Sequence, residues 1–195
     1  MGKIREIEQR LERTEQQLRL FQKISRFMVR QMSLQEVLKG IVSLVVEFTY
    51  CDSCLVYLID GQQLVLCATS SQSSANIGKV RLNLSEGLTG WVAREKRLLA
   101  ISREAYTDSR FRSFSELPED SFEAFLSAPV IARNQTVGVI NVQYKEPHFF
   151  GGNEMELLTT VGEQVGCLLM LARMEANGMT AANAVELVLA GSRQG

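Results

Sequence analysis

The residues best suited to chemistry in this sequence are four cysteines, a single histidine and a pair of glycines between two structured segments. Cys51 and Cys54 stand in a Cys-x-x-Cys spacing, "CDSC", which can supply half a zinc site or a redox pair. A zinc site needs a second pair of ligands, but Cys67 and Cys167 stand apart and His148 has no companion histidine. The segment that continues from the pair, "CLVYLID", has the pattern of a strand, where cysteine serves as a small hydrophobe. No metal ion and no cofactor is expected.

"SEGLTGW", from Ser85 to Trp91, places Gly87 and Gly90 after a strand-like segment and before a helix-like one. A phosphate loop would need more glycines, a lysine and a parallel strand leading in. The segment reads instead as a structural hinge, with Ser85 or Glu86 capping a short helix, Gly87 bending the chain and Gly90 packing closely. The acidic stretch "PEDSFE" lacks a partner for acid–base work and reads as a solvated loop. No serine has a histidine near it in the expected pocket, so no catalytic residue is assigned.

Composition sets the frame in which these residues act. The 195 residues carry a net charge of −1 and are 46% hydrophobic, which gives nucleic acid or an anionic membrane no global attraction. The longest apolar run, "IVSLVV", is far shorter than the roughly 20 residues that span a bilayer, and the charged start lacks the pattern of a secretory signal. A cytoplasmic address is expected.

Three segments follow from the patterning. Over residues 1–32, Ile4, Ile7, Leu11, Thr14, Leu18, Phe21, Ser25, Met28 and Met32 recur at alternating spacings of three and four, the seam of a coiled coil. The first half has a narrow stripe suited to a second chain, whereas Ile24 and Phe27 broaden the second half toward its own domain. Residues 33–175 form the main domain. "SLQE" predicts a capping box at Ser33 and a helix from Leu34 to about Phe48, and "SCLVYLID", "QLVLCATS" and "KVRLNL" then read as strands. A short helix, the strand "LLAIS", the irregular aromatic-bearing stretch 103–124, the hairpin "FLSAPVIA"/"VGVINVQYK" and a long helix from about Asn153 to Met174 complete it. Gly162 and Gly166 are expected to admit a neighbouring helix, with Gly178 ending the run. Residues 176–195 form a tail with a possible short helix capped by Thr180 and stopped by Gly191.

This layout is an α+β domain with helices on one face of a sheet and a pocket under the short helix and long loop on the other. In "VGVINVQY", alternation puts Val137, Val139, Asn141 and Gln143 on one face and Gly138, Ile140, Val142 and Tyr144 on the other. Asn141 and Gln143 then face either the pocket or solvent.

The element order, with "SEGLTGWVAREKRLLAIS", "YTDSRFRSF" and "FLSAPVIARNQTVGVINVQYKEPHFF", resembles a GAF domain, a small-molecule-sensing module. The resemblance runs from about Ser33 to Arg173 and is strongest to the sensory domains of nitrogen-branch phosphotransferase enzymes I. It implies a six-stranded antiparallel sheet, a ligand pocket and a homodimer joined by terminal helices. Tyr57, Trp91, Ser102, Phe111, Phe114, Phe125, Ser127, Asn141 and Gln143 are assigned to the pocket. Ile4, Ile7, Leu11, Leu18, Phe21, Met28, Leu158, Val165 and Leu169 are assigned to the dimer interface. Cyclic-nucleotide binders of the family carry a motif whose positions here are Tyr144, Lys145, Phe149, Asn153 and Glu154, with Asn153 in place of the acidic residue expected to pair with Lys145. A branch that reduces free methionine sulfoxide uses pocket cysteines, but no cysteine lies between Ala68 and Gly166. The expected function is a non-catalytic sensor that signals to a partner protein. A ligand-free dimerisation scaffold is the alternative, and a reductase-like enzyme a more remote one.

Overall fold

A computed structural model describes residues 2–29, 32–70, 76–112, 122–175 and 181–191. Met1, Phe114, Gly178, Thr180 and most of "PEDSFE" lie outside the described residues, as does the side chain of Met28. The elements are α1 (Gly2–Met28), α2 (Leu34–Thr49), β1 (Ser53–Asp60), β2 (Gln63–Thr69) and β3 (Arg81–Asn83), then α3 (Gly87–Glu95) and β4 (Leu99–Ile101). A 3-10 turn at Ala105–Thr107 precedes β5 (Ala124–Ala132), β6 (Gln135–Tyr144), α4 (Gly152–Glu175) and α5 (Ala181–Gly191).

The six strands form one antiparallel sheet in the order β3-β2-β1-β6-β5-β4. Two tight turns fix its register. Gly61, at φ +60°, opens the two-residue link from β1 to β2, and Arg133 and Asn134, both at positive φ, turn β5 into β6. Positive φ at such positions matches the twist of the strands, which keeps each hairpin paired to its end.

Helix α2 starts where the capping box places it. The Glu36 amide donates to Ser33 Oγ, and the Ser33 amide donates to Glu36 Oε2 at 2.8 Å. Its apolar stripe, with Val37, Leu38, Ile41, Val42 and Val45 buried, lies on one face of the sheet with α4, α5 and the second half of α1. Leu20 and Ile24 of α1 are fully buried in that layer, and so are Ala184, Val185 and Val188 of α5 to within a few per cent. The C-terminal helix is thus part of the packed domain rather than a loose tail.

Three expectations need correction. Leu158, Val165 and Leu169 are buried against the sheet within a single chain, so they are unavailable to a partner. Phe21 also packs on this core, which leaves Ile4, Ile7, Leu11 and Leu18 as the exposed large apolar seam residues among those described. Gly162 and Gly166 admit a strand, not a helix: a Cβ at Gly162 would lie 2.9 Å from the Pro129 carbonyl, and one at Gly166 would collide with that of Ile131. Helix α4 is therefore seated backbone-on-backbone on β5. Its residues Gly152–Ala172 are long and apolar enough to cross a membrane by length and composition alone, and Leu157, Leu158, Val161, Val165, Leu168 and Leu169 within them are buried in the helix-side core. Val137 also departs from simple alternation, because a bulge between Val130 and Ile131 turns it toward the helix layer.

Candidate functional site

The opposite face of the sheet is covered by β3's loop, α3 and the chain around the 3-10 turn, which enclose a smaller apolar cluster. Helix α3 sits so close that a Cβ on Gly90 would lie 2.7 Å from the Leu84 carbonyl, and Gly87 at φ +69° makes the bend into it. The expected cap is absent: Glu86 occupies the cap position without a side-chain bond to the helix, and its carboxylate accepts from Asn83 Nδ2 instead. The first turn of α3 is thereby left uncapped beside the sheet.

Between α3 and the sheet lies a cavity of about 30 Å³. Leu55 and Tyr57 of β1, Leu82 of β3, Phe125 of β5 and Asn141 and Gln143 of β6 form its sheet side. Leu88 and Thr89 contribute from the start of α3, with Phe111 and Arg112 from the loop after the 3-10 turn. A polar relay crosses its floor. Ser127 Oγ donates to Asn141 Oδ1 at 2.7 Å, and Asn141 Nδ2 donates to Thr89 Oγ1 at 2.9 Å, with all three residues buried. This relay ties β5, β6 and α3 together, and satisfied buried bonds of this kind fix one arrangement.

Gln143 is different. It is 7% exposed and lines the cavity, yet its carboxamide has no hydrogen-bond partner among the described residues. Its polar atoms are open to solvent there, since Thr136 Oγ1 is the one fully buried side-chain polar atom without a partner among the described residues. Thr89 likewise accepts from Asn141 but has no acceptor for its own proton among the described residues. The cavity therefore offers an amide that can donate and accept, a hydroxyl donor and aromatic walls.

The loop over the cavity is fastened from outside. Arg110 forms a two-pronged pair with Asp108, Nε to Oδ1 at 2.8 Å and Nη2 to Oδ2 at 2.6 Å, and its guanidinium lies 4.6 Å from the Trp91 ring. The Arg110 hydrogen bonds hold the Asp108 carboxyl below its ordinary range. Trp91 thus clamps the loop to α3 rather than lining the cavity.

Of the residues assigned to the pocket, Tyr57, Phe111, Phe125, Asn141 and Gln143 come together around the cavity. Ser127 stands behind Asn141, and Ser102 at the end of β4 offers its carbonyl to the His148 amide, away from the cavity. Leu55, Leu82, Leu88, Thr89 and Arg112 were not anticipated. Leu55 was legible as the residue two before Tyr57 on the same face, and Thr89 as the first-turn residue of the hinge helix.

The cysteines sit elsewhere. Cys51, Cys54 and Cys67 are buried in the helix-side core and Cys167 is exposed on α4. Burial pushes the Cys54 thiol well up and the Cys67 thiol to about 12, which suppresses thiolate chemistry. The five positions of the cyclic-nucleotide motif also lie off the cavity. Tyr144 stacks on His148 with ring centroids 4.0 Å apart, His148 Nε2 meets Glu154 Oε1 at 2.7 Å, and Phe149 is exposed.

The sequence model of the GAF domain matches residues 31–169, more than half of the chain. The chain belongs to the GAF domain family. A protein of the phosphoenolpyruvate-dependent phosphotransferase system of Escherichia coli is 28% identical over 125 residues, 63% of this chain and 17% of that protein. The chain thus spans about a sixth of the length of the curated relatives it matches. The solved GAF domain of a phosphoenolpyruvate-protein phosphotransferase from Coxiella burnetii superposes with a TM-score of 0.77 at 25% identity, covering 83% of this chain and 97% of that one. Free methionine-R-sulfoxide reductase from Neisseria meningitidis, solved with its substrate, gives a TM-score of 0.68 at 13% identity, covering 80% of this chain and 89% of that one. At that identity the likeness is one of fold alone.

Proposed function

We propose that this GAF domain is a non-catalytic sensor that takes a small polar metabolite into the cavity between α3 and β6, and that it works as a cytoplasmic homodimer. The observation that carries the reading is the Gln143 carboxamide, which lines the cavity, is open to solvent there and bonds to none of the described residues. A ligand that supplies both an acceptor and a donor would take the place of the water that this amide meets. Ser127, Tyr57, Phe111 and Phe125 support it as floor and walls, and Arg112 at the exposed rim favours an anionic group.

Binding would reach the helices through the sheet. The Ser127–Asn141–Thr89 relay joins α3 to β5 and β6, and α4 rides directly on the β5 carbonyls at Gly162 and Gly166. Any displacement of β5 is passed to α4, because no flexible side chains separate the two backbones. The same helix layer holds the end of α1, whose exposed first half would present the output to a second copy and to a signalling partner. The similarity to phosphotransferase relatives makes a component of such a system the partner to test first.

One observation favours the scaffold reading: a cavity of about 30 Å³ holds about two waters, so a metabolite must enlarge it. The reductase reading has no thiol at the cavity to work with. Trp91 is the only tryptophan and stands on the helix roofing the cavity, so its emission reports occupancy. Titration with amino acids, 2-oxo acids, purines and cyclic nucleotides should change that emission saturably for one class. Silence across all four would favour the scaffold.

A further inference from the structure

Helix α1 changes its surroundings along its length. Leu20 and Ile24 are fully buried in the domain core, and Gln17 Nε2 donates to the Asn153 carbonyl at 3.1 Å where the helix meets the start of α4. Before that point Ile4, Ile7, Leu11 and Leu18 form one stripe, each more than half exposed. Their spacing of three and four makes Ile4, Leu11 and Leu18 the first position of successive heptads and Ile7 the fourth, with Thr14 the fourth of the next.

The charges beside this stripe are segregated. The heptad position before Ile4 and Leu11 holds Lys3 and Arg10, with the neutral Gln17 before Leu18, and the position after Ile7 and Thr14 holds Glu8 and Glu15. Arg10, Glu8 and Glu15 are exposed, and none of them forms an ion pair among the described residues. One flank of the seam is therefore basic and the other acidic.

We infer that residues 3–18 bind the same segment of a second copy, parallel and in register. This rests on the dimer proposed above and adds its orientation. In a parallel pair the basic flank of each helix meets the acidic flank of the other, Lys3 against Glu8 and Arg10 against Glu15, twice over by symmetry. In an antiparallel pair like flanks meet, so glutamates face glutamates and cations face cations. Thr14 falls opposite its own copy only in the parallel, in-register pair, and a polar seam residue fixes register at some cost in affinity. The two cavities then lie at the same end of the dimer, so that both sensors act on one helical junction.

Disulfide trapping in the full chain tests the orientation. With Cys167→Ser removing the exposed thiol, Ile7→Cys places the two new thiols face to face in the parallel pair. Oxidation should link most of the chains. In an antiparallel pair position 7 faces position 11, so linkage would need a mixture of Ile7→Cys and Leu11→Cys chains. Glu8→Lys with Glu15→Lys should raise the dissociation constant of the dimer at least about tenfold at low salt, and less at high salt. A wild-type chain that sediments as a monomer or a trimer would overturn the pairing itself. A dimer that fails to link through Ile7→Cys, or links only in the mixture, would overturn the orientation alone.

Discussion

The two faces of the sheet are built from the same strands but solve different problems. On the helix side, Leu126, Ile140 and Val142 meet Val37, Ile41, Leu158 and Val165 in a continuous apolar layer with the helix backbones close to the strands. On the other side the same two strands present Ser127, Asn141 and Gln143 to a thinner cover that leaves a cavity. Strand alternation thus carries stability on one face and recognition on the other. Burying polar groups on a face that also has to cohere is costly, and the relay to Thr89 offsets that cost for Ser127 and Asn141.

Substitutions should separate the two roles. Leu158→Ala removes a fully enclosed side chain from the helix layer, with an expected loss of about 3 kcal/mol in urea unfolding and no direct effect at the cavity. A loss below about 1 kcal/mol would mean that the layer is loosely packed. Asn141→Ala leaves Ser127 and Thr89 without their partner on the cavity side, and should cost about 2 kcal/mol by the same measurement. Asn141→Leu should not recover that loss, because the two hydroxyls stay unpaired; full recovery would show that the relay is dispensable.

The loop clamp should give the smallest effect and a distinct pH signature. The Asp108 carboxyl is held below its ordinary range by Arg110, so the pair stabilises the fold above the unfolded value of about 3.9. As pH falls through the lower folded value, that contribution is lost. Asp108→Asn should therefore lower the melting temperature slightly near neutrality, and the gap to wild type should close in strong acid. A gap that widens as pH falls would contradict the assigned sign.

Much of this division was legible in the residues. The Ser33–Glu36 box placed α2, and the alternation in β6 put Asn141 and Gln143 on one face, which the structure turns toward the cavity. What escaped has physical reasons. Leu158, Val165 and Leu169 recur at the spacing of an interface stripe, but a helix lying on a sheet needs the same spacing, and only the seating of Gly162 and Gly166 on β5 tells the two apart. Val137 was placed on the wrong face because a bulge adds a residue to one strand, which alternation alone cannot register. Trp91 was read as a pocket wall from its place on α3, whereas its partner, Arg110, lies on a loop without periodicity.

The claim that the cavity face is a binding face is tested most directly through Gln143. Melting temperatures of wild type and Gln143→Leu should be compared without ligand and with the metabolite class that changes Trp91 emission. Without ligand the variant should melt close to wild type, since the substitution removes an amide that bonds to none of the described residues and puts an apolar side chain beside an apolar cluster. At a hundredfold excess over the dissociation constant, wild type should gain about 2.7 kcal/mol, a rise of roughly 5–10 °C, and the variant should gain little. An equal rise in both would contradict the account, because the ligand would then be held somewhere other than beside Gln143.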